Sequence, residues 1–310
     1  MLFKGKEMKT KPLITVGIPN YNYGQYIDAT INSVLSQDYD NLEILIYDDG
    51  STDNSVDLIG KKFGTQVKII EGKINKGLGV ARNCLIKYAK GEYILFLDSD
   101  DLLAENAIRI LADSIYDNDA VMGKVTSFID DSKIIPKRHI YINDTIDKLK
   151  QRLDILTLAQ LPVAWNRLMS TKFLRENNIR FSEYRINEDA LFGYTFAFAR
   201  PKIQFIDNII LKIRQHAGSL QSLSKEFDFK IREFINVTNE LNTFLRTQNI
   251  YIRLRLVGNY LVYKLLYHKN NKKMFDTILK FKRSIPLVDR TIIVVKLLLL
   301  TKNIKFLKIL

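Results

Sequence analysis

Between residues 13 and 97, short apolar runs alternate with stretches whose apolar residues recur at helical spacing. Leu13-Ile14-Thr15-Val16-Gly17-Ile18 is rich in β-branched residues and is ended by Pro19-Asn20, which predicts a strand. Ile27, Ile31, Val34 and Leu35 then fall at i, i+4, i+7 and i+8, the spacing of one helix face. Leu42-Glu43-Ile44-Leu45-Ile46-Tyr47 predicts a second strand, stopped by Asp48-Asp49-Gly50-Ser51. Ser, Thr and Asp crowd around Asp53, as they do where a helix is capped at its start. Val67-Lys68-Ile69-Ile70 predicts a third strand, and residues 78–89 a helix. Tyr93-Ile94-Leu95-Phe96-Leu97 predicts a fourth strand; it is nearly all apolar, as expected where both faces are buried.

Strands alternating with helices at this spacing imply an α/β fold with a mostly parallel central sheet flanked by helices. In such sheets ligands bind beyond the carboxyl ends of the strands. Polar clusters should therefore follow the strands. Pro19-Asn20-Tyr21-Asn22, Asp48-Asp49-Gly50-Ser51 and Asp98-Ser99-Asp100-Asp101 each follow one directly, so three loops are expected to converge on one sheet edge.

Residues 118–224 read as a mixture of short strands and helices. Residues 225–310 read as helical, with Pro286 separating two helices and Leu254, Val257, Leu261 and Leu265 forming an apolar stripe. Charge separates the same two pieces. The chain of 310 residues carries +13, and residues 225–310, with 18 Lys/Arg against 6 Asp/Glu, hold +12 of it. The expected organisation is a near-neutral body over 1–224 and a basic helical module over 225–310, with the boundary near 222–228. Hydrophobic residues at 46% and charged residues at 26% are ordinary for a globular protein. The single cysteine, Cys84, rules out an intrachain disulfide, and no Cys/His cluster has zinc spacing. The first nine residues lack the apolar core of a signal peptide. The longest apolar stretch, near 292–300, is short and interrupted by Lys296. These features predict a cytoplasmic protein.

Asp98-Ser99-Asp100 puts two carboxylates two positions apart behind a buried strand. Magnesium and manganese want oxygen ligands and are often held by one or two carboxylates together with substrate phosphates. An isolated pair of this kind would be a solvated acidic turn or a helix cap. The context changes that. Pro19-Asn20-Tyr21-Asn22, Ser33-Val34-Leu35-Ser36-Gln37, Glu43-Ile44, Asp48-Asp49-Gly50-Ser51-Thr52-Asp53, Asn75-Lys76-Gly77, Ala81-Arg82-Asn83, Ala89-Lys90-Gly91-Glu92-Tyr93 and Phe96-Leu97-Asp98-Ser99-Asp100-Asp101 resemble, in order and spacing over residues 12–103, the family-2 glycosyltransferases of the GT-A fold.

That resemblance implies a donor half over about 12–103, an acceptor half over about 104–224 and a UDP-sugar as donor. Pro19 and Tyr21, with Asn22 in the same loop, would frame uracil and ribose. Asp49 would accept a hydrogen bond from the uracil imide. Lys76 and Arg82 would meet the diphosphate or the sugar; the alternative for Arg82 is a helix-surface salt bridge. Asp98, with Ser99 beside it, would bind ribose or sugar hydroxyls, and Asp100 would hold the divalent metal, manganese or magnesium. Asp48 would stabilise its turn.

Further on, Asn187-Glu188-Asp189-Ala190-Leu191-Phe192 resembles the family's acceptor-site motif. The resemblance implies that Asp189 is the catalytic base. A sugar hydroxyl is a poor nucleophile and needs a carboxylate to take its proton. Glu188 would orient the loop or an acceptor hydroxyl. The plain alternative is an acidic pair favoured by a helix N-terminus. Val163-Ala164-Trp165-Asn166-Arg167-Leu168 also resembles the family, with Trp165 and Asn166 as acceptor contacts; Trp165 is equally readable as a core residue. Ile213-Arg214-Gln215-His216 resembles the family's Arg-x-His segment, where His216 would complete the metal shell.

The resemblance implies an inverting transferase acting on a surface glycan, a lipid-linked glycan or a phosphate-rich polymer such as teichoic acid. The basic module is compatible with an anionic membrane surface at the inner face of the cell membrane, with a phosphate-rich acceptor, or with packing on the body or in a homo-oligomer. No nucleic-acid motif accompanies the charge. A sugar-1-phosphate nucleotidyltransferase would need a Gly-rich basic loop where this chain has Asn20-Tyr21-Asn22-Tyr23-Gly24. A non-catalytic membrane-associated partner of another transferase would not need both acidic motifs intact.

Overall fold

The computed structural model describes residues 11–132, 136–161, 163–216 and 227–247. The predicted alternation is present: β1 (Ile14–Asn20), α1 (Ile27–Leu35), β2 (Leu42–Asp48), α2 (Ser55–Phe63), β3 (Lys68–Glu71), α3 (Leu78–Tyr88) and β4 (Tyr93–Phe96). β5 (Leu102–Leu103), α4 (Ala107–Ile115), β6 (Ala120–Phe128), α5 (Arg138–Gln151), α6 (Ile155–Ala159), β7 (Arg167–Ser170), α7 (Thr171–Glu176), α8 (Glu188–Phe198), β8 (Ile203–Arg214) and α9 (Phe227–Thr247) follow.

Eight strands among the described residues form one sheet in the order β3-β2-β1-β4-β7-β6-β8-β5. The first four are parallel. β7 is antiparallel to both β4 and β6, β6 and β8 are parallel, and β5 closes the far edge antiparallel to β8. Every residue of β1 is buried, as its central position requires. β1 runs further than its apolar run predicts, through Pro19 and Asn20. Its pairing with β4 stops at Gly17↔Phe96, so Pro19 lies where a ladder hydrogen bond is no longer needed on that side. The order reverses between β1 and β4, which makes the crevice past their carboxyl ends the place for a ligand.

α9 packs against α8 and buries Ile235, Val237, Leu241 and Leu245. It carries three Lys/Arg and three Asp/Glu, so the whole +12 excess of residues 225–310 lies after residue 247. The expected boundary near 222–228 therefore falls just ahead of a helix that is packed on the body. The apolar stripe at Leu254, Val257, Leu261 and Leu265, and Pro286, lie outside the described residues. Among the described residues no helix is long and apolar enough to cross a membrane.

Candidate active site

The three loops do converge. The Asn20 amide donates to Asp48 Oδ1 at 2.7 Å and to Ser55 Oγ at 3.0 Å. Asp48 also accepts from the Ser51 amide and hydroxyl. Asp48 is thus spent on its own turn, as expected. Asn22, at φ 57°, uses its side-chain oxygen on the amides of Thr52 and Asp53, which ties the first loop to the second. Tyr21 is half-buried beside it, and Pro19 is buried.

Asp49 is buried, and its carboxylate accepts from the Lys76 amide at 2.9 Å and the Gly77 amide at 2.6 Å. Burial raises its pKa, and the two amides and the nearby Arg185 pull it back down. A carboxylate has about four lone-pair positions, so Asp49 keeps capacity for a further donor. Lys76 contributes its backbone here, while its ammonium group is exposed.

The Asp98-Ser99-Asp100 segment is held from below. Ser99 Oγ donates to the Pro19 carbonyl at 2.8 Å, and the Thr30 hydroxyl lies 2.9 Å from the carbonyls of both Ser99 and Asp101. Ser99 is therefore a structural tie rather than an open ligand group. From the other side the Arg214 amide donates to Asp101 at 2.8 Å, and Arg214 Nε donates to the Asp100 carbonyl at 2.7 Å. Arg214 also pairs with Asp130, and its guanidinium lies against the Tyr26 and Phe128 rings. These contacts bring β8 up to the loop, so that His216 Nε2 sits 2.9 Å from Asp100 Oδ2. Tyr26 lies against the imidazole, 4.7 Å between ring centroids. Burial, then Asp98, raises the Asp100 pKa, and His216 opposes them.

A carboxylate and an imidazole side by side are ligand types that suit a hard or borderline divalent cation, which would take the place of their mutual hydrogen bond. Among the described residues no group of three or more such side chains is preassembled. Two such side chains would leave the rest of an ion's shell to substrate oxygens and water, as is usual for magnesium at phosphates.

The Asp98 loop and the start of α8 meet on Arg82. This residue is buried; Nη2 donates to Asp98 Oδ1 at 2.7 Å, and Nη1 reaches Glu188 Oε1 at 3.4 Å. Burial opposes its charge, but Asp98, Glu188 and Asp189 outweigh that and hold it protonated. Its Nε has no partner. Arg82 is thus not on a helix surface; it bridges the Asp98-Ser99-Asp100 segment and the first turn of α8. Gly79, Arg82 and Asn83 share one face of α3, and the motif around them has a packing reason. A Cβ on Gly79 would come within 1.9 Å of the Ser182 carbonyl. The Asn83 side chain both donates to and accepts from the Phe181 backbone. α3 therefore clamps the segment that leads into Glu188-Asp189.

Glu188 and Asp189 occupy the first turn of α8, after Asn187 in a left-handed conformation. The helix N-terminus favours them electrostatically, Glu188 also reaches Arg82, and Arg82 feels the Asp189 charge. Burial, reinforced by Asp189, pushes the Glu188 carboxyl up to about 7, against Arg82. Trp165 and Asn166, expected as acceptor contacts, are 5% and 0% exposed. Both lie in the core. Asn166 serves the buried Arg167, accepting from its Nε at 3.2 Å, and Arg167 lies against the Phe192 and Phe196 rings of α8.

Several residues of the site carry no motif in the sequence. Thr30 is one; the only hint is a polar residue on the apolar face of α1. Tyr26, Arg185 and the two α9 glutamates are others. Ser182 Oγ donates to Glu240 at 2.6 Å, Arg180 pairs with Glu240 at 2.9 Å, and the Arg185 amide donates to Glu233 at 2.5 Å.

The chain is similar to known proteins in sequence and in fold. The family model described as Glycosyl transferase family 2 matches residues 15–177. The chain is 30% identical over 240 residues to Glycosyltransferase GlyG of Streptococcus pneumoniae, covering 73% of this chain and 78% of that one. It is 48% identical over 89 residues to the Escherichia coli UDP-Glc:alpha-D-GlcNAc-diphosphoundecaprenol beta-1,3-glucosyltransferase WfaP, covering 29% of this chain and 36% of that one. Among solved structures, S. aureus TarS residues 1–349 in complex with UDP-GlcNAc matches with a TM-score of 0.65 at 21% identity, over 96% of this chain and 89% of that one. That likeness carries the expected GT-A fold. With the family match spanning more than half of its residues, the chain belongs to the family-2 glycosyltransferases.

Proposed function

We propose that this glycosyltransferase moves a sugar from a UDP-sugar to a hydroxyl of a surface glycan, a lipid-linked glycan or a phosphate-rich polymer, with inversion at the anomeric carbon. The observation that carries the reading is the bridge at Arg82. One buried guanidinium holds the donor-side Asp98 and the acceptor-side Glu188 together, and Asp189 is the next residue. The UDP-Glc donor and diphosphoundecaprenol-linked acceptor in the name of WfaP, and the UDP-GlcNAc bound by TarS, support the substrate classes.

Asp189 takes the proton of the acceptor hydroxyl, the oxygen attacks the anomeric carbon, and the bond from that carbon to the UDP oxygen breaks in the same displacement. Glu188 and Arg82 hold the acceptor side against the donor side. The unpartnered Arg82 Nε is a donor available to the diphosphate or the sugar. Asp49 and the Pro19–Asn22 loop take the uridine, and Asp98 takes ribose or sugar hydroxyls. Asp100 and His216 would hold manganese or magnesium, which when bound offsets the charge on the departing diphosphate.

A panel of UDP-sugars scored by donor hydrolysis tests the donor class without knowledge of the acceptor. Turnover of at least one UDP-sugar is expected; a protein with manganese that neither binds UDP nor hydrolyses any UDP-sugar would defeat the reading.

A further inference from the structure

Arg185 is exposed, yet it is tied at both ends. Its amide donates to Glu233 Oε2 on α9 at 2.5 Å, and Glu233 is buried. Its guanidinium Nη2 donates to the Asn75 carbonyl at 2.7 Å. The stem passes over Gly77, where an added Cβ would lie 3.4 Å from Arg185 Cγ. Gly77 has φ +106°, a conformation that only glycine adopts readily.

The loop it reaches is the one whose Lys76 and Gly77 amides hold Asp49. On its other side this loop packs against Gly50, where a Cβ would come within 2.9 Å of Ile74 backbone. The loop is thus fixed from within by Asp49 and Gly50, and from across the cleft by Arg185. Burial raises the Asp49 pKa, and the Arg185 charge opposes that rise. A continuous hydrogen-bonded path therefore runs from α9 through Arg185 to the nucleotide loop.

We propose that Arg185 is a clasp through which helix α9, by way of Glu233, positions the Asn75–Gly77 loop and so sets affinity for the uridine nucleotide. The inference rests on the reading that Asp49 and this loop take the nucleotide. Arg185 and Glu233 act as positioning residues, because both work through the loop. The clasp is one charged hydrogen bond at the surface. Such a bond is strong enough to bias a loop and weak enough to break when substrate enters or leaves.

Calorimetric titration of the full-length chain with UDP and manganese tests it. Arg185→Ala should weaken UDP binding about 10-fold, the loss of roughly one charge-assisted hydrogen bond. Arg185→Lys, which can still donate to the carbonyl, should recover most of that. Glu233→Ala should weaken UDP binding although Glu233 lies on α9, and Glu233→Gln, which still offers an oxygen to the Arg185 amide, should restore it. The melting temperature of Arg185→Ala should stay at the wild-type value, since the side chain is exposed, so the result does not hinge on how the Glu233 variants fold. Wild-type affinity in Arg185→Ala would overturn the clasp. Weak binding in Arg185→Ala with wild-type affinity in a folded Glu233→Ala would overturn it too, and make Arg185 a direct nucleotide contact. A wild-type protein that binds no UDP would remove the underlying reading along with the clasp.

Discussion

Arg82 is where the chemistry of single residues is decided. A buried guanidinium next to three carboxylates stays charged, and the carboxylates divide according to what each touches. Asp98 takes the short contact at 2.7 Å and Glu188 the longer one at 3.4 Å. Glu188 is left with its pKa pushed up to about 7 by burial, a poor match for a permanently ionised ligand group but well suited to sharing a proton near neutrality. A carboxyl whose folded-state pKa is raised contributes stability that is present below its unfolded value and is lost as pH rises through the folded value. Relative to wild type, Glu188→Gln should therefore gain stability as pH rises from about 4.5, the unperturbed value, to about 7. Urea unfolding across that range checks it, and a pH-independent difference would show that Glu188 does not titrate there. Asp189→Asn should keep UDP-sugar binding and lose about 10²–10⁴-fold in transfer, the usual share of a general base. Transfer at the wild-type rate would remove Asp189 from that role.

At the scale of elements, α3 explains why a run such as Ala81-Arg82-Asn83 can be read from sequence at all. Gly79, Arg82 and Asn83 lie on one face and each engages the 181–188 segment: one by close backbone approach, one by charge, one by a paired amide contact. Gly79→Ala should cost roughly 2 kcal/mol or more, because the clash is with backbone and cannot be relieved by a side-chain rotation. The urea midpoint measures this; an unchanged midpoint would mean that the 182–188 segment yields freely. The strands, α1 and the three acidic or polar loops were legible because their signals are local: period, β-branching and the polar stop after each strand. Thr30, Arg185, Glu233 and Glu240 were not, because each contact joins residues far apart in the chain and leaves no period. Trp165 shows the converse. Its motif was visible, but whether an aromatic stacks on a sugar or fills a core depends on packing, and here it is buried.

At the scale of the whole molecule, charge and packing both group α9 with the body. α9 is electrically neutral and packed on α8, and the +12 excess lies after residue 247. Ile235, Val237, Leu241 and Leu245 are each 5% exposed or less, and burial of such side chains is worth about 1.5–3 kcal/mol apiece. Helix α9 therefore belongs with the body. Compared with truncation after 247, truncation after 224 should destabilise the protein by several of those increments and weaken UDP binding. Equal behaviour of the two truncations in thermal melting would contradict this. The same pair of proteins separates the readings of the basic segment. If residues 248–310 carry an anionic-surface site, sedimentation with anionic vesicles should fall on truncation after 247, and unchanged sedimentation would dismiss a membrane role.

The central claim is that the donor loops and the Glu188-Asp189 pair form one active site for a UDP-sugar. Donor hydrolysis over a panel of UDP-sugars, with manganese present, tests it most directly. The account predicts that the wild-type protein releases UDP from at least one member of the panel and that Asp100→Ala abolishes that release. Absence of UDP release from every member, together with no UDP binding, would contradict it.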